Sequence, residues 1–194
     1  MQSLLDRLVD AEEASGSPIR RYLRPGRPEG EIQARFDAVG LRAPTELLAL
    51  YGWRDGTDQA AWLADVHRNN LCLFPFARFT PLDEAISDYI ELKSIWQSTP
   101  WYENYIAGND PGWGYWRSEW FPVFQSDKSR HVVDCLLVDV GPVWHVYFEP
   151  FPRTEPRHPS LSELTRELTE LIEKGDCFWS AERQHLTDNL DYDF

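Results

Sequence analysis

The sequence predicts an α+β domain, a mostly antiparallel sheet packed against several helices, and three observations predict it. Apolar residues at helical spacing dominate the N-terminal half. β-branched and aromatic runs bounded by turn residues fill the stretch from Trp113 to Glu149. A capped amphipathic segment closes the chain after a proline-spaced connector. Helices first, strands in the middle and a helix last is the order of an α+β domain. At 194 residues the chain has the length for one well-buried core and is short for two, so a single domain over 1–194 is expected.

In order, residues 3–14 place Leu4, Leu5, Leu8 and Val9 among charges, a short amphipathic helix ended by Ser15-Gly16-Ser17-Pro18. Pro25-Gly26-Arg27-Pro28 reads as a flexible connector, with Pro28 placed to open a helix whose face is Ile32, Phe36 and Val39 and whose stop is Gly40. Pro44 opens a helix carrying Leu47, Leu48, Leu50 and Tyr51, and Asp55-Gly56 after it reads as a turn. Leu71-Cys72-Leu73-Phe74-Pro75-Phe76 reads as a short strand with its proline at the end or on an edge. Thr80 is expected as N-cap of the next helix, with Pro81 at N1 and Asp83 and Glu84 in the first turn. Leu82, Ala85, Ile86, Tyr89, Leu92 and Trp96 give that helix a wide apolar face.

The segment 100–114, rich in Gly, Pro, Asn and aromatics, reads as an ordered loop. Strands are expected at 120–124, 131–139 and 143–149, the last two paired across Gly141-Pro142. Pro150, Pro152, Pro156 and Pro159 mark a connector. Ser160 and Glu163 fit a capping box ahead of Leu161, Leu164, Leu168, Leu171 and Ile172, with Gly175 as the stop. The acidic tail runs over 180–194, and its last residues, 188–194, are expected to fray unless Tyr192 and Phe194 dock.

Composition narrows function. The net charge of −13 disfavours direct binding to nucleic acid, which needs a basic footprint, and suits a basic protein partner as well as simple solubility. No apolar run reaches the roughly 20 residues that span a bilayer, and no secretory signal opens the chain. Three widely spaced cysteines, Cys72, Cys135 and Cys177, fit neither a disulfide framework nor a zinc knuckle, so a reducing cytoplasm is expected.

The residues that could carry chemistry form no motif. No nucleophile elbow, phosphate loop, dinucleotide fingerprint or His-Glu-x-x-His is present, and no cofactor is implied. His131, Asp134, Asp139 and His145 could converge on a metal if their strands pair, but His131 and Asp134 are three apart and point to opposite strand faces. Trp101, Trp113, Trp116 and Trp120 could stack on sugar rings, with Glu103, Asp110, Glu119 and Glu149 as the carboxylates of glycoside chemistry; core packing is the competing reading. Acidic residues beside aromatics suit recognition of a basic protein: Trp53 with Asp55 and Asp58, Trp113 and Trp116 with Glu119, and Asp134 and Asp139 on the strand beyond.

Taken together, Ala43-Pro44-Thr45-Glu46-Leu47-Leu48-Ala49-Leu50-Tyr51 with Asp55-Gly56, Leu73-Phe74 through Leu82-Asp83-Glu84-Ala85, and Trp120-Phe121-Pro122-Val123-Phe124 with Val133-Asp134-Cys135-Leu136-Leu137-Val138-Asp139 resemble the SUKH superfamily, which holds a fungal cell-wall synthesis regulator and many bacterial immunity proteins. Pro159-Ser160-Leu161-Ser162-Glu163-Leu164 is similar to its closing helix. The likeness covers about residues 31–179, with residues 1–30 and 180–194 outside it. The turn Gln125-Ser126-Asp127-Lys128-Ser129-Arg130 lacks a glycine often found there, and Ala43 replaces a larger apolar residue. The resemblance implies one α+β domain, no enzymatic activity, and a monomer that neutralises a cognate, basic toxin, often a nuclease, by covering its cleft. A regulatory scaffold is the alternative within the family, and a glycan-binding or glycan-active protein the alternative outside it.

Overall fold

The computed structural model describes residues 1–66, 71–74, 77–98, 116–126, 128–148, 153–182 and 185–188. Leu5, Leu8, Val9 and Glu12 recur at helical spacing and form the buried stripe of helix α1 (Gln2–Ala14). The Ser15 amide donates back to the Ala11 and Glu12 carbonyls, and Gly16 turns the chain at φ +100°. One turn of helix, α2 (Ile19–Tyr22), and a short strand, β1 (Leu23–Pro25), follow. Helices α3 (Glu29–Ala38) and α4 (Thr45–Trp53) each start after a proline, Pro28 and Pro44, at the N-cap position.

The stretch expected to be a flexible connector is instead held on both sides. A Cβ on Gly26 would lie 2.0 Å from the Gly52 carbonyl oxygen, so only glycine allows this approach of two backbones. The Arg27 amide donates to the Tyr51 carbonyl at 2.9 Å. Its guanidinium contacts Asp55 at 2.8 Å, Asp83 at 2.8 Å and Glu31 at 2.6 Å. Burial alone would lower the Arg27 pKa; hydrogen bonds to Asp83, Asp55 and Glu31 outweigh it, and the group stays charged.

Asp55-Gly56 is likewise not a turn. It lies in strand β2 (Arg54–Thr57), antiparallel to β1. Gly56 does take positive φ, +76°, as the dipeptide implied, but the freedom serves to seat the strand against Pro81, whose nitrogen would be 2.4 Å from a Cβ. Helix α5 (Gln59–Val66) then buries Trp62. Of the run expected as a strand at 71–76, the described residues 71–74 contribute a bridge, Phe74 with Ala77, ahead of β3 (Arg78–Phe79).

Helix α6 (Leu82–Gln97) corrects a second expectation. Thr80 does not cap it: its amide donates to Val123 and its carbonyl accepts from the Tyr51 hydroxyl. The Leu82 amide is instead taken by Asp55 Oδ1 at 2.8 Å, from 27 residues away. Helix α7 (Leu161–Lys174) begins as read, with Ser160 Oγ accepting from the Glu163 amide at 3.0 Å. Glu46 of α4 adds a remote carboxylate that accepts from the Leu161 and Ser162 amides at 2.9 and 3.2 Å. At its far end Gly175 turns left-handed at φ +79°, and the Gly175 and Asp176 amides donate to Ile172 and Leu171.

Five antiparallel strands form the main sheet in the order β3-β4-β5-β6-β7, with β4 (Trp120–Gln125), β5 (Ser129–Asp134), β6 (Val143–Tyr147) and β7 (Arg153–His158). The expected proline connector is therefore partly the edge strand β7, where Pro156 lies opposite Trp144. Pro122 is accommodated by a register shift between Pro122 and Phe124. The helices meet the sheet at Phe121, which packs on Phe36 at 4.5 Å, Tyr89 at 6.2 Å and Tyr51 at 6.4 Å. The expected tail contributes β9 (His185–Asp188), which pairs with β8 (Cys177–Ser180) and buries Leu186; Tyr192 and Phe194 lie outside the described residues. Among the described residues no helix is long and apolar enough to cross a membrane.

Replacing Asp55 with alanine removes both a buried ion-pair partner and the acceptor at the start of α6. The expected loss is about 3–5 kcal/mol in urea unfolding. Thr80→Val should stay within about 0.3 kcal/mol of the parent, where loss of a cap would cost about 1 kcal/mol.

Candidate partner-binding surface

Strand β5 ends at Asp134, five residues before the expected boundary, and the reason is local. Asp134 Oδ1 accepts from the Leu136 amide at 2.9 Å, a side-chain turn that competes with the ladder. The Asp134 amide donates to Pro142 at 3.0 Å and the Cys135 amide to Glu119 at 2.8 Å, so the loop 135–142 is closed at its base. The Thr45 amide, at the start of α4, donates to the Val138 carbonyl at 2.9 Å and pins the tip. Gly141 sits so close that a Cβ would lie 2.4 Å from the Val133 side chain.

The backbone of this loop is therefore held while its side chains face water. Leu136 is 70% exposed, Leu137 55%, Val140 44% and Val138 40%. Scattered exposed apolar residues need no explanation, but four within five positions on an anchored loop form a patch of the kind that marks an interaction site. Asp139 is exposed within the loop, and Asp134 and Glu119 are half-buried at its base, so acidic residues accompany the apolar side chains.

Of the residues singled out in the sequence, Glu119 and Asp134 thus meet at the base of the loop, and Asp139 lies within it. Others turn inward. Trp53 is buried and donates its indole N–H to Asp6 at 2.8 Å, and Asp55 is the buried partner of Arg27. Asp58 is exposed, but it accepts from the Ala61 amide at 3.0 Å at the start of α5. Trp116 is buried edge-on against Trp120 at 6.4 Å. Trp120 stacks on Trp144 at 5.4 Å, with the Arg117 guanidinium over both rings. Trp116 and Trp120 are therefore core rather than stacking platforms. Trp113, and Trp101, Glu103, Asp110 and Glu149 of the glycoside reading, lie outside the described residues. The sequence predicts Leu136, Leu137 and Val138 as part of a strand because an apolar run reads the same in a strand and in an exposed loop. The flanking Asp134 and Gly141-Pro142 were the signals that could have separated the two.

The proposed metal set is not assembled. His131 and His145 pair across β5 and β6 with rings stacked at 4.1 Å, while Asp134 and Asp139 belong to the loop. Among the described residues no three His, Cys, Asp or Glu side chains gather as metal ligands would. Burial, then the neighbouring His145, Arg157 and His158, hold the His131 pKa well below its ordinary value. Burial, then Asp134, pushes the Cys135 thiol up, which makes it an inert structural cysteine. No family model matches the chain, and no curated protein matches it.

His131 sets a pH dependence. Its imidazole stays neutral in the fold while the unfolded chain takes up a proton near its ordinary value, so its contribution is complete above about pH 6.5 and is lost as pH falls. The slope attributable to one such group is at most about 1.4 kcal/mol per pH unit. Urea titrations between pH 7.5 and 5.5 should show a shallower decline for His131→Phe than for the parent.

Proposed function

We propose that this protein is a non-enzymatic immunity protein that binds a basic toxin and covers its active cleft. The observation that carries the reading is the anchored loop 135–142, which presents Leu136, Leu137, Val138 and Val140 to solvent beside Asp134, Asp139 and Glu119. A preformed apolar tip loses little freedom on docking, and the acidic edge discriminates for a basic partner. The net charge of −13 would steer such a partner from a distance. The resemblance to the SUKH superfamily supports the same role, and buried, unbridged Cys72, Cys135 and Cys177 suit a cytoplasmic setting. Occlusion needs no catalytic group, and one copy of the chain suffices for it.

The test is inhibition of the toxin encoded beside this protein. The parent should abolish its activity at equal stoichiometry, and the protein should not act on the toxin covalently. Leu136→Asp combined with Leu137→Asp should raise Kd by about 100-fold or more while the thermal midpoint stays unchanged, because both side chains lie in water. Raising salt from 50 to 500 mM should slow association, with a weaker effect for Asp139→Asn. A toxin that remains fully active with the protein in excess, or a double variant that inhibits like the parent, overturns the proposal.

A further inference from the structure

We propose that the partner sets two carboxylates against Arg42 and Arg117, the arginines that flank the apolar loop 135–142. The inference rests on the loop reading and names the groups that the partner must bring to it. In a chain of net charge −13, most described arginines are already neutralised: Arg27 by three carboxylates, Arg130 by Asp88 at 2.7 Å and Arg21 by Asp65 at 3.0 Å. Among the described residues Arg42 and Arg117 are exposed and have no carboxylate within ion-pair distance. Arg54 also lacks one, but it is half-buried and donates to the Trp53 carbonyl at 3.0 Å.

The two unpaired guanidinium groups are not scattered. Arg117 lies two residues before Glu119, whose carbonyl accepts from the Cys135 amide at 2.8 Å. Arg42 lies two residues before Pro44, whose Cγ would be 3.4 Å from a Cβ on Gly141. Two residues span at most about 7 Å, so one arginine stands beside each end of the loop. Arg117 is also preorganised. Its guanidinium carbon sits 5.1 Å from the Trp120 ring and 5.5 Å from that of Trp144, two indoles stacked at 5.4 Å. Trp120 is buried, so the platform is rigid. The ring contacts hold the guanidinium and leave its N–H donors without a protein acceptor.

The occupant follows from what docking does to these charges. A partner that covers Leu136 and Leu137 draws both arginines out of water at the rim, and a desolvated charge needs a counter-charge. A uniformly basic surface would repel them, whereas a carboxylate accepts the N–H fork through two parallel bonds. A nucleic-acid phosphate is disfavoured by the net charge of −13. The acidic surface therefore steers a basic partner from afar, and the arginines select where it sits.

The test uses the full chain and the toxin encoded beside it. Steering alone predicts that Arg117→Glu, which makes the chain more acidic, binds a basic toxin faster and tighter. The proposal predicts the opposite sign: Kd rises about 30-fold or more in Arg117→Glu and about tenfold in Arg42→Glu, through faster dissociation. Arg117→Lys keeps the charge and the ring contact but loses the fork, and should weaken binding about three- to tenfold. Both positions are exposed, and an unchanged thermal midpoint checks that the fold is kept. One Asp→Lys or Glu→Lys substitution in the toxin should recover at least about tenfold of the affinity lost in Arg117→Glu. Unchanged or tighter binding by either glutamate variant, or no recovery from any such substitution, overturns this inference. If Leu136→Asp with Leu137→Asp still weakens binding in that case, the loop reading stands without it. Parent-like inhibition by that double variant, or a toxin left active by the parent, removes the loop reading and this inference together.

Discussion

Both carboxylate oxygens of Asp55 are engaged by other parts of the chain. Oδ2 holds the Arg27 guanidinium, and Oδ1 holds the first free amide of α6. Arg27 in turn reaches Glu31 on α3 and Asp83 on α6, and Arg24 approaches Asp55 from β1 at 3.7 Å. One buried carboxylate thus joins β1, β2, α3 and α6. Two charges in a poorly solvated place are tolerable because Arg27 donates three charge-assisted hydrogen bonds and both Asp55 oxygens accept one. The glycines on either side serve the same junction: Gly26 lets the backbone meet the end of α4, and Gly56 lets β2 meet Pro81.

Helix starts repeat this solution. The amides at the start of α7 are taken by Ser160, the local cap, and by Glu46 on another helix. A carboxylate that caps a helix from a distance fixes the relative position of two elements as well as satisfying a donor. Through Glu46 and the Thr45–Val138 hydrogen bond, the short helix α4 ties the sheet's exposed loop to α7. The apolar tip at 136–140 is consequently displayed on a fixed frame rather than on a swinging loop. That is the condition under which apolar exposure supports specific binding, because little conformational entropy is lost on docking.

Much of the fold was legible in the chain itself. The helices around Leu5, Ile32, Leu47, Leu82 and Leu161 followed from apolar spacing and punctuation, and Ser160 and Gly175 behaved as local caps because cap geometry involves only adjacent residues. Strands β4, β5 and β6 followed from β-branched and aromatic runs. The errors fall where a distant group replaced a local one. Thr80 had the right residue type for a cap, but the N-cap position falls one residue later at Pro81 and Asp55 takes the Leu82 amide. β7 had too many prolines to read as a strand, yet an edge position tolerates them. The candidate site was half legible: Glu119, Asp134 and Asp139 were marked by charge, whereas the leucines between them were hidden by their own hydrophobicity.

The sequence by itself determined the class of fold, the order of helices and central strands, and a strongly acidic surface, because these depend on periodicity, local capping and composition. Tertiary structure alone decided which acids are surface and which are structural. Asp55 and Asp139 are the same residue type. One is buried against Arg27 and the other stands in water, and only the arrival of segments remote in sequence separates them. The same is true of Leu136 and Leu137. Whether an apolar run enters the core depends on where the ladder stops, and here it stops because the Asp134 side chain takes the Leu136 amide.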